Sequence, residues 1–205
     1  MPGPTDLLIA LAAFTILLAA FLFARPHVTA GAAGKIIAFM GLFILPALCI
    51  SGGMYAHMQQ SEQTRFCISC HAMEPYGRSL YVDNPNYIPA AHFQNHRVPA
   101  DRACYSCHAD YAIYGPLADK MRGLKRIYMQ YVSTPPANIT IPGGFKNAQC
   151  LHCHLGARDF ESNPIHQAVM SSLASNQMSC ITSGCHDTTH NISSLSHVKF
   201  WSPAQ

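Results

Sequence analysis

The chain has 205 residues, 49% of them hydrophobic, and its formal net charge at pH 7 is only +3. A charge this small excludes the strongly basic surface that nucleic-acid binding needs, so no nucleic-acid partner is expected. The apolar residues are concentrated before residue 60, which predicts membrane segments followed by one modest domain.

Two uncharged apolar stretches, residues 7–24 and 36–54, come first in the chain. Each has about the length that a bilayer core demands. A secretory signal peptide is an alternative for the first stretch, but residues 1–6 contain no Lys or Arg, and a signal peptide starts with basic residues. A buried soluble hairpin is the alternative for both. We expect a two-helix transmembrane anchor at residues 1–58, with helices at about 7–24 and 36–58.

The connector between the two stretches, residues 25–35, contains Arg25 and Lys35 and no acidic residue. Because basic loops favour the cytoplasmic side, we expect both termini on the periplasmic side of a bacterial inner membrane. Pro46 lies within the second helix and is expected to disturb it. Cys49 is expected to be an inert apolar filler in the same helix. Close helix contacts would be allowed by five glycines, Gly31, Gly34, Gly41, Gly52 and Gly53.

From residue 59 the chain is polar and carries four copies of one pattern, in which a histidine directly follows the second of two cysteines. Three copies are C-x-x-C-H, and the fourth has four residues between its cysteines. Two thiols at this spacing can each add to a vinyl group of a haem, and the histidine can bind the iron as an axial ligand. The residues of the four motifs are Cys67, Cys70 and His71; Cys104, Cys107 and His108; Cys150, Cys153 and His154; and Cys180, Cys185 and His186.

Structural zinc is the alternative interpretation, because paired C-x-x-C also makes zinc sites. Neither zinc nor a disulfide framework explains a histidine after every second cysteine. The motifs use eight of the nine cysteines. In the fourth motif Gly184 makes the longer loop easier to bend. The sequence therefore predicts four covalently attached haem c groups.

Residues 59–205, 147 in all, would then enclose four haems, which is too little chain for an ordinary core. The expected fold is a multihaem cytochrome c, mostly irregular with short α-helices wrapped around haems, behind the two-helix transmembrane anchor. Apolar periodicity predicts helices at residues 118–131 and 164–177. Three prolines predict a loop at residues 133–144. Covalent haem attachment takes place on the periplasmic face, which agrees with the expected topology.

Each low-spin haem needs a second axial ligand, usually His or Met and occasionally Lys. Of the twelve histidines, four belong to the motifs, His27 lies in the connector, and His152 lies between two attachment cysteines. We favour three others as ligands, each to an iron other than that of the nearest motif, namely His92, His166 and His190. The remaining histidines on this side, for which ligation is less favoured, are His57, His96 and His197.

A membrane anchor followed by four c-type motifs, the first written C-x-x-C-H-x-M, resembles the NapC/NirT/NrfH family of quinol dehydrogenases. His71 and Met73 match that signature as they stand. The family also has His-x-x-Asn before the second motif, a lysine some twelve residues past the second motif histidine, a histidine between motifs three and four, and another four residues past the last motif. The matching residues are His92 and Asn95, Lys120, His166 and His190. The resemblance covers about residues 60–197.

The resemblance implies that Met73 rather than His71 binds the first iron, that Lys120 binds the second, and that a quinol, menaquinol for preference, is oxidised beside the first haem. Electrons would pass on to a periplasmic redox partner or catalytic subunit, so the protein is expected to act in a complex. Its other partners would be membrane lipid and the quinol pool. Three carboxylates are candidates for accepting the quinol protons, with Asp119 placed in the site and Asp110 and Glu74 as alternatives.

Two features depart from the family pattern. The family usually has one transmembrane helix with its N-terminus inside, and its fourth motif is normally C-x-x-C-H. Two other functions therefore stay open, namely an electron-transfer subunit of a larger membrane respiratory complex without its own quinol site, and an anchored carrier between soluble redox proteins. A quinone-binding cleft beside the first haem would separate the quinol dehydrogenase from both.

Overall fold

The computed structural model describes residues 3–134, 144–187 and 189–202. The chain divides into two compact units, Met1–Ser61 and Glu62–Gln205. Helical conformations account for 69% of the structure, more than the mostly irregular chain that the sequence predicts. Within the described ranges the strand pairing consists of one isolated antiparallel bridge between Val82 and Phe200.

The first unit contains two long helices joined by a 3-10 turn at Pro26–Thr29. Helix α1, Pro4–Ala24, starts with a proline at its first position, where no N–H is needed. The second long helix consists of α2, Ala32–Phe39, a π-helical turn at Met40–Ile44, and α3, Leu45–Ser61. The predicted helices are thus present, and the second is longer at both ends than expected.

Both long helices are apolar enough to cross a membrane. The mean hydropathy is 2.8 over Thr5–Ala24 and 2.2 over Ala32–Ser61, yet only 11% and 6% of their most apolar windows are buried. A hairpin at the centre of a soluble domain would hide most of this surface from solvent. The exposure therefore favours a membrane anchor over the soluble alternative.

The π-helical turn ends at Ile44, two residues before Pro46. Proline has no N–H to donate to the carbonyl of Leu42, and its ring crowds that carbonyl. A turn widened by one residue relieves this conflict without ending the helix. The predicted disturbance at Pro46 therefore takes the form of a π turn.

Two of the five glycines lie where α1 and the second long helix meet. A Cβ at Gly41 would lie 2.7 Å from Leu18 Cδ2, and a Cβ at Gly52 would lie 2.8 Å from Leu8 Cδ2. By contrast, a Cβ at Gly53 would meet nothing within 4 Å. Gly41 and Gly52 therefore permit the close approach of the helices, as predicted, whereas Gly53 does not contribute to it.

Cys49 is also part of this helix contact. Its Sγ lies 3.7 Å from Thr15 Oγ1, and Thr15 donates to the carbonyl of Leu11 at 2.7 Å. Cys49 therefore sits beside a hydroxyl group of the neighbouring helix instead of filling a purely apolar gap.

The described residues of the second unit form eight α-helices, most of them short. The predicted helices correspond to α8, Gly115–Tyr131, and α11, Pro164–Ala174, and are confirmed. The loop predicted at residues 133–144 lies largely outside the described residues. The other helices are α4, Thr64–Ile68; α5, Glu74–Ser79; α6, Ile88–Gln94; α7, Ala103–His108; α9, Asn147–His154; and α10, Arg158–Glu161.

Apolar packing in the described part of this unit is limited to two small clusters. One contains four buried residues, Val82, Tyr87, Ala90 and Leu195. The other contains Phe160, Leu173 and Cys180. Clusters of this size agree with the prediction that the unit has no ordinary core.

Close packing at Gly41 gives a testable prediction for the anchor. Gly41→Leu should lower the stability of the helix pair by about 1–3 kcal/mol, because the new side chain collides with Leu18. Thermal unfolding followed by circular dichroism in detergent micelles would measure the change. Gly53→Leu is the matched control, since it faces open space. Equal midpoints for the two variants would contradict this packing.

Candidate haem-binding site

The first and second motifs are held together by the polar residues that precede them. Thr64, at the start of α4, donates to the carbonyl of Ala100 at 2.9 Å and accepts the N–H of Ala103 at 2.8 Å. The buried carboxylate of Glu62 pairs with Arg102 at 3.4 Å. Helices α4 and α7, which carry the first cysteine of each motif, are therefore fixed side by side.

The thiols of these two helices touch. A hydrogen bond with Cys104 lowers the pKa of Cys67 to about 7, and the positive charge of Lys120 acts in the same direction. Burial opposes this shift. The first and second motifs are therefore neighbours through their first cysteines.

The later motifs continue the row. Burial raises the pKa of Cys107, and the neighbouring Cys153 raises it further. This interaction places the second motif beside the third. Burial, followed by the interaction with Cys180, raises the pKa of Cys150 to about 12. This interaction places the third motif beside the fourth. The four motifs thus follow one another in space in their sequence order.

Asn147 fixes the third motif against the fourth. Its side chain is buried, and it donates to the carbonyls of Leu173 at 2.8 Å and Met178 at 2.6 Å. Its Oδ1 accepts the N–H of Cys180 at 2.9 Å. Both N–H groups of this buried amide are thus used, and its oxygen holds the first cysteine of the stretched motif.

Three of the four motif histidines face a second histidine from another part of the chain. The ring centroids and interplanar angles are 6.0 Å and 77° for His154 with His92, 6.1 Å and 25° for His108 with His190, and 6.0 Å and 45° for His186 with His166.

These distances fit a metal ion between the rings. A metal–imidazole bond is about 2 Å long, so two nitrogens on one metal lie about 4 Å apart. Each ring centroid lies about 1 Å behind its nitrogen, which puts the centroids about 6 Å apart. The donor set therefore fits an iron with two imidazole ligands, as in a low-spin haem.

The three distal histidines each use Nδ1 for a hydrogen bond, which leaves Nε2 free to bind a metal. The Nδ1 partners are the carbonyl of Ile88 for His92 at 2.9 Å, the carbonyl of Phe160 for His166 at 3.2 Å, and Ser79 Oγ for His190 at 2.7 Å. Ser79 already donates its own hydrogen to the carbonyl of Tyr76, so it accepts from His190. Burial, and then His108, lower the pKa of His190 to about 4, which keeps the imidazole neutral as ligation requires.

Each distal histidine stands opposite a motif other than the nearest one in the sequence. His92 crosses to the third motif, His166 to the fourth and His190 to the second. This is the crossing arrangement expected from the sequence, and ligation of iron by these residues stays a prediction.

The first motif is built differently. His71 and Met73 lie on one 3-10 turn, His71–Met73, with His71 exposed and Met73 partly buried. Among the described residues, no ring contact joins His71 to a second histidine. The arrangement leaves both His71 and Met73 free as donors, as the resemblance requires for a methionine ligand.

The structure brings Lys120 and Asp119 to the junction of the first two motifs. Lys120 Nζ lies 5.0 Å from the ring centroid of Tyr105, within the second motif. Asp119 accepts the N–H of Asp110 at 2.7 Å and pairs with Arg122 at 2.8 Å. His190, and not Lys120, stands opposite the second motif histidine.

Sequence reasoning missed two side chains at this junction, Glu62 and Tyr105. Tyr105 has a buried hydroxyl without a hydrogen-bond partner among the described residues. Burial, and then the negative charges of Glu62 and Asp119, raise its pKa to about 12. The only sequence signal was the position of Tyr105 between two attachment cysteines, which says nothing about burial.

His152 is exposed, and its ring stacks on that of Tyr111. The rings are 3.7 Å apart and 7° from parallel, and Tyr111 also donates to the carbonyl of Ser106 at 2.6 Å. The stack joins the third motif to the segment that follows the second.

Zinc finds less support than haem. Among the residues that the structure describes, no group of three or more His, Cys, Asp or Glu side chains is arranged to hold a metal ion. A structural zinc site needs four such donors around one point. Paired histidines with attachment cysteines beside them fit haem c instead.

A membrane anchor followed by c-type haem motifs defines a membrane-bound cytochrome c. The model of the NapC/NirT cytochrome c family, N-terminal region, matches residues 30–138, more than half of the chain. The chain therefore belongs to the NapC/NirT cytochrome c family, which implies haem c binding and electron transfer. No curated protein and no solved structure matches the chain.

The different ring angles give the histidine pairs separate spectroscopic signatures. Perpendicular imidazole planes bring two iron d orbitals close in energy and give a larger g anisotropy than parallel planes. His92→Ala should therefore remove a strongly anisotropic low-spin signal, and His190→Ala a rhombic one. Each variant should convert one haem to high spin in electron paramagnetic resonance of the oxidised holoprotein.

His96→Ala is the control for this experiment, because His96 faces none of the motif histidines in the described structure. Its spectrum should equal that of the unchanged protein. The assigned pairs would be contradicted if His92→Ala and His190→Ala lost the same signal. They would also be contradicted if neither variant lost a signal.

Proposed function

We propose that the protein is a membrane-bound tetrahaem cytochrome c that oxidises a quinol, menaquinol for preference, at the first motif and delivers electrons to a periplasmic redox partner. The spatial row of four attachment motifs is the observation that carries the proposal. Bound haem c supplies reversible one-electron chemistry. The eight motif cysteines would hold the four groups, and the three histidine pairs would supply axial ligands to three of them.

The first motif is the proposed entry point for electrons. Only five residues separate Ser61, at the end of the membrane helix, from Cys67, so chain length keeps this motif near the membrane surface. A methionine thioether is a weaker donor than imidazole and raises the potential of a haem. Met73 as the ligand would therefore favour electron uptake from a quinol.

Quinol oxidation also releases two protons, which need an acceptor. We assign this role to Asp119, whose negative charge helps to raise the pKa of Tyr105. Lys120 follows Asp119 on α8, and its positive charge lowers the pKa of Cys67 in the first motif. Both side chains thus lie at the junction of the first two motifs, where a quinol head group would arrive.

The fourth motif is the proposed exit. Cys185 and His186 are exposed, so an acceptor protein can approach this end of the row. We propose a periplasmic redox partner or catalytic subunit as acceptor, in a complex with this protein.

The alternative is an electron-transfer subunit without its own quinol site. Two cavities in the described structure lie away from Met73. A cavity of about 260 Å³ is lined by residues such as Val82, Tyr87 and Asn191, and one of about 350 Å³ lies between the membrane helices around Thr15. The variants below separate the two functions.

The proposed topology places the connector between the membrane helices in the cytoplasm and both termini in the periplasm, because Arg25 and Lys35 are its only charged residues. A reporter that is active only outside the cytoplasm should be active when fused at Gly3 and inactive when inserted at Gly31. Cytoplasmic signal from the Gly3 fusion would refute this orientation.

Met73→Leu tests the quinol site. The change keeps the side-chain volume and removes the sulfur donor, so quinol-driven haem reduction should fall roughly tenfold or more and the potential of the first haem should shift. Reduction by menaquinol and ubiquinol analogues and a redox titration of the purified holoprotein would measure both. The other three haems should keep their spectra, and intact mass should still show four bound haems.

Met170→Leu makes the same chemical change beside the Phe160 cluster and should leave the rate unaltered. If Met73→Leu keeps both the quinol-driven rate and the first-haem potential, Met73 only packs. If the unchanged protein takes no electrons from quinols but accepts them from a chemical reductant, the electron-transfer subunit is the better description.

A further inference from the structure

Helix α8 exposes a continuous row of large apolar side chains. The row recurs at positions i, i+4, i+7, i+11 and i+14, which lie on one face of an α-helix. Between 48% and 70% of each side chain is exposed. We call this row the apolar stripe; it consists of Leu117, Met121, Leu124, Tyr128 and Tyr131.

The polar face of the same helix points the other way, towards the rest of the unit. Asp119 binds the backbone of Asp110, Arg122 pairs with both of these carboxylates, and Lys120 lies over the ring of Tyr105. A helix on a soluble domain buries its apolar face and exposes its polar face. Helix α8 instead exposes its apolar face, and polar side chains make its contacts with the rest of the unit.

Helix α8 is attached mainly at its start. Gly115 is its one buried residue, and a Cβ there would lie 1.8 Å from the carbonyl oxygen of Asp110. From Leu117 to Tyr131 the stripe is about 21 Å long at 1.5 Å per residue. A stripe of this length extends past the edge of a single porphyrin, so one haem beside the second motif cannot cover it.

The charges on α8 complement a phospholipid surface. The helix has four basic residues and one acidic residue. At 100° per residue, the exposed Lys125 flanks the stripe, where its ammonium group can reach lipid phosphates while its stem stays among apolar groups. Lysines and tyrosines bordering an apolar face are typical of helices that lie in a membrane interface.

The connectivity of the chain is compatible with contact between α8 and the membrane that holds the anchor. The chain leaves the second membrane helix at Ser61, and Glu62 and Thr64 then hold the segment that precedes the second motif. Helix α8 begins seven residues after the last residue of that motif, His108. The helix therefore starts from a part of the unit that is tied to the membrane end of the chain.

We propose that α8 is an interfacial helix whose apolar stripe lies among the acyl chains of an anionic phospholipid membrane. The helix thereby gives the second unit a contact with lipid separate from the two membrane-spanning helices. This proposal depends on the membrane anchor and not on quinol oxidation.

A photo-crosslinking experiment on the full-length holoprotein tests the proposal. The protein is placed in nanodiscs containing phosphatidylcholine and phosphatidylglycerol, with p-benzoylphenylalanine in place of Leu124 on the stripe. The matched control carries the same group in place of Gln130 on the opposite face. Mass spectrometry should find at least roughly threefold more lipid adduct at position 124 than at position 130.

Equal or no lipid adduct at the two positions would overturn the proposal. Adducts from position 124 to another part of the chain or to a haem would also overturn it, since the stripe would then be covered from within. The charge component is tested with Lys125→Gln, which should lower the adduct yield in nanodiscs with phosphatidylglycerol but not in pure phosphatidylcholine.

A second measurement guards against a disturbed fold. Hydrogen exchange over residues 115–131 in the unsubstituted protein should be at least roughly threefold slower in the anionic nanodiscs than in pure phosphatidylcholine. Equal exchange in the two would refute the anionic-lipid contact, and leave a protein partner as the occupant of the stripe.

Discussion

Contacts between histidine rings connect the parts of the second unit that the chain itself keeps far apart. His92 with His154, and His108 with His190, each join the first half of the unit to the second half. The stack of Tyr111 on His152 makes a third connection between the same halves. With only two small apolar clusters in the described part of the unit, these ring contacts take over the organising role that a hydrophobic core has in an ordinary domain.

Inside each half, hydrogen bonds to the backbone set the spacing of two motifs. Thr64 does this for the first and second motifs, and Asn147 for the third and fourth. A buried amide that makes three hydrogen bonds is a specific link, since an apolar side chain at position 147 would leave the N–H of Cys180 unpaired. The unit thus consists of two pairs of motifs, each held together by hydrogen bonds, and contacts between aromatic rings connect the two pairs.

The sequence revealed the motifs and the family because their chemistry is local, with two thiols and one imidazole within a few residues. It also predicted α8 and the membrane helices, whose patterns repeat along the chain. It did not reveal the burial of Glu62 and Tyr105, because burial depends on residues that are distant in the sequence. The π turn at Met40–Ile44 was missed for a related reason, since Pro46 signals a conflict but not how the backbone resolves it.

The outward-facing apolar stripe of α8 has a practical consequence for handling this protein. Exposed contiguous apolar surface drives association in water. A fragment cut at Ser61, and so freed of both membrane helices, would keep the stripe from Leu117 to Tyr131 on its surface. Removal of the anchor is therefore not enough to make the remaining fragment monomeric in buffer, and a truncated preparation will need detergent or polar replacements on the stripe.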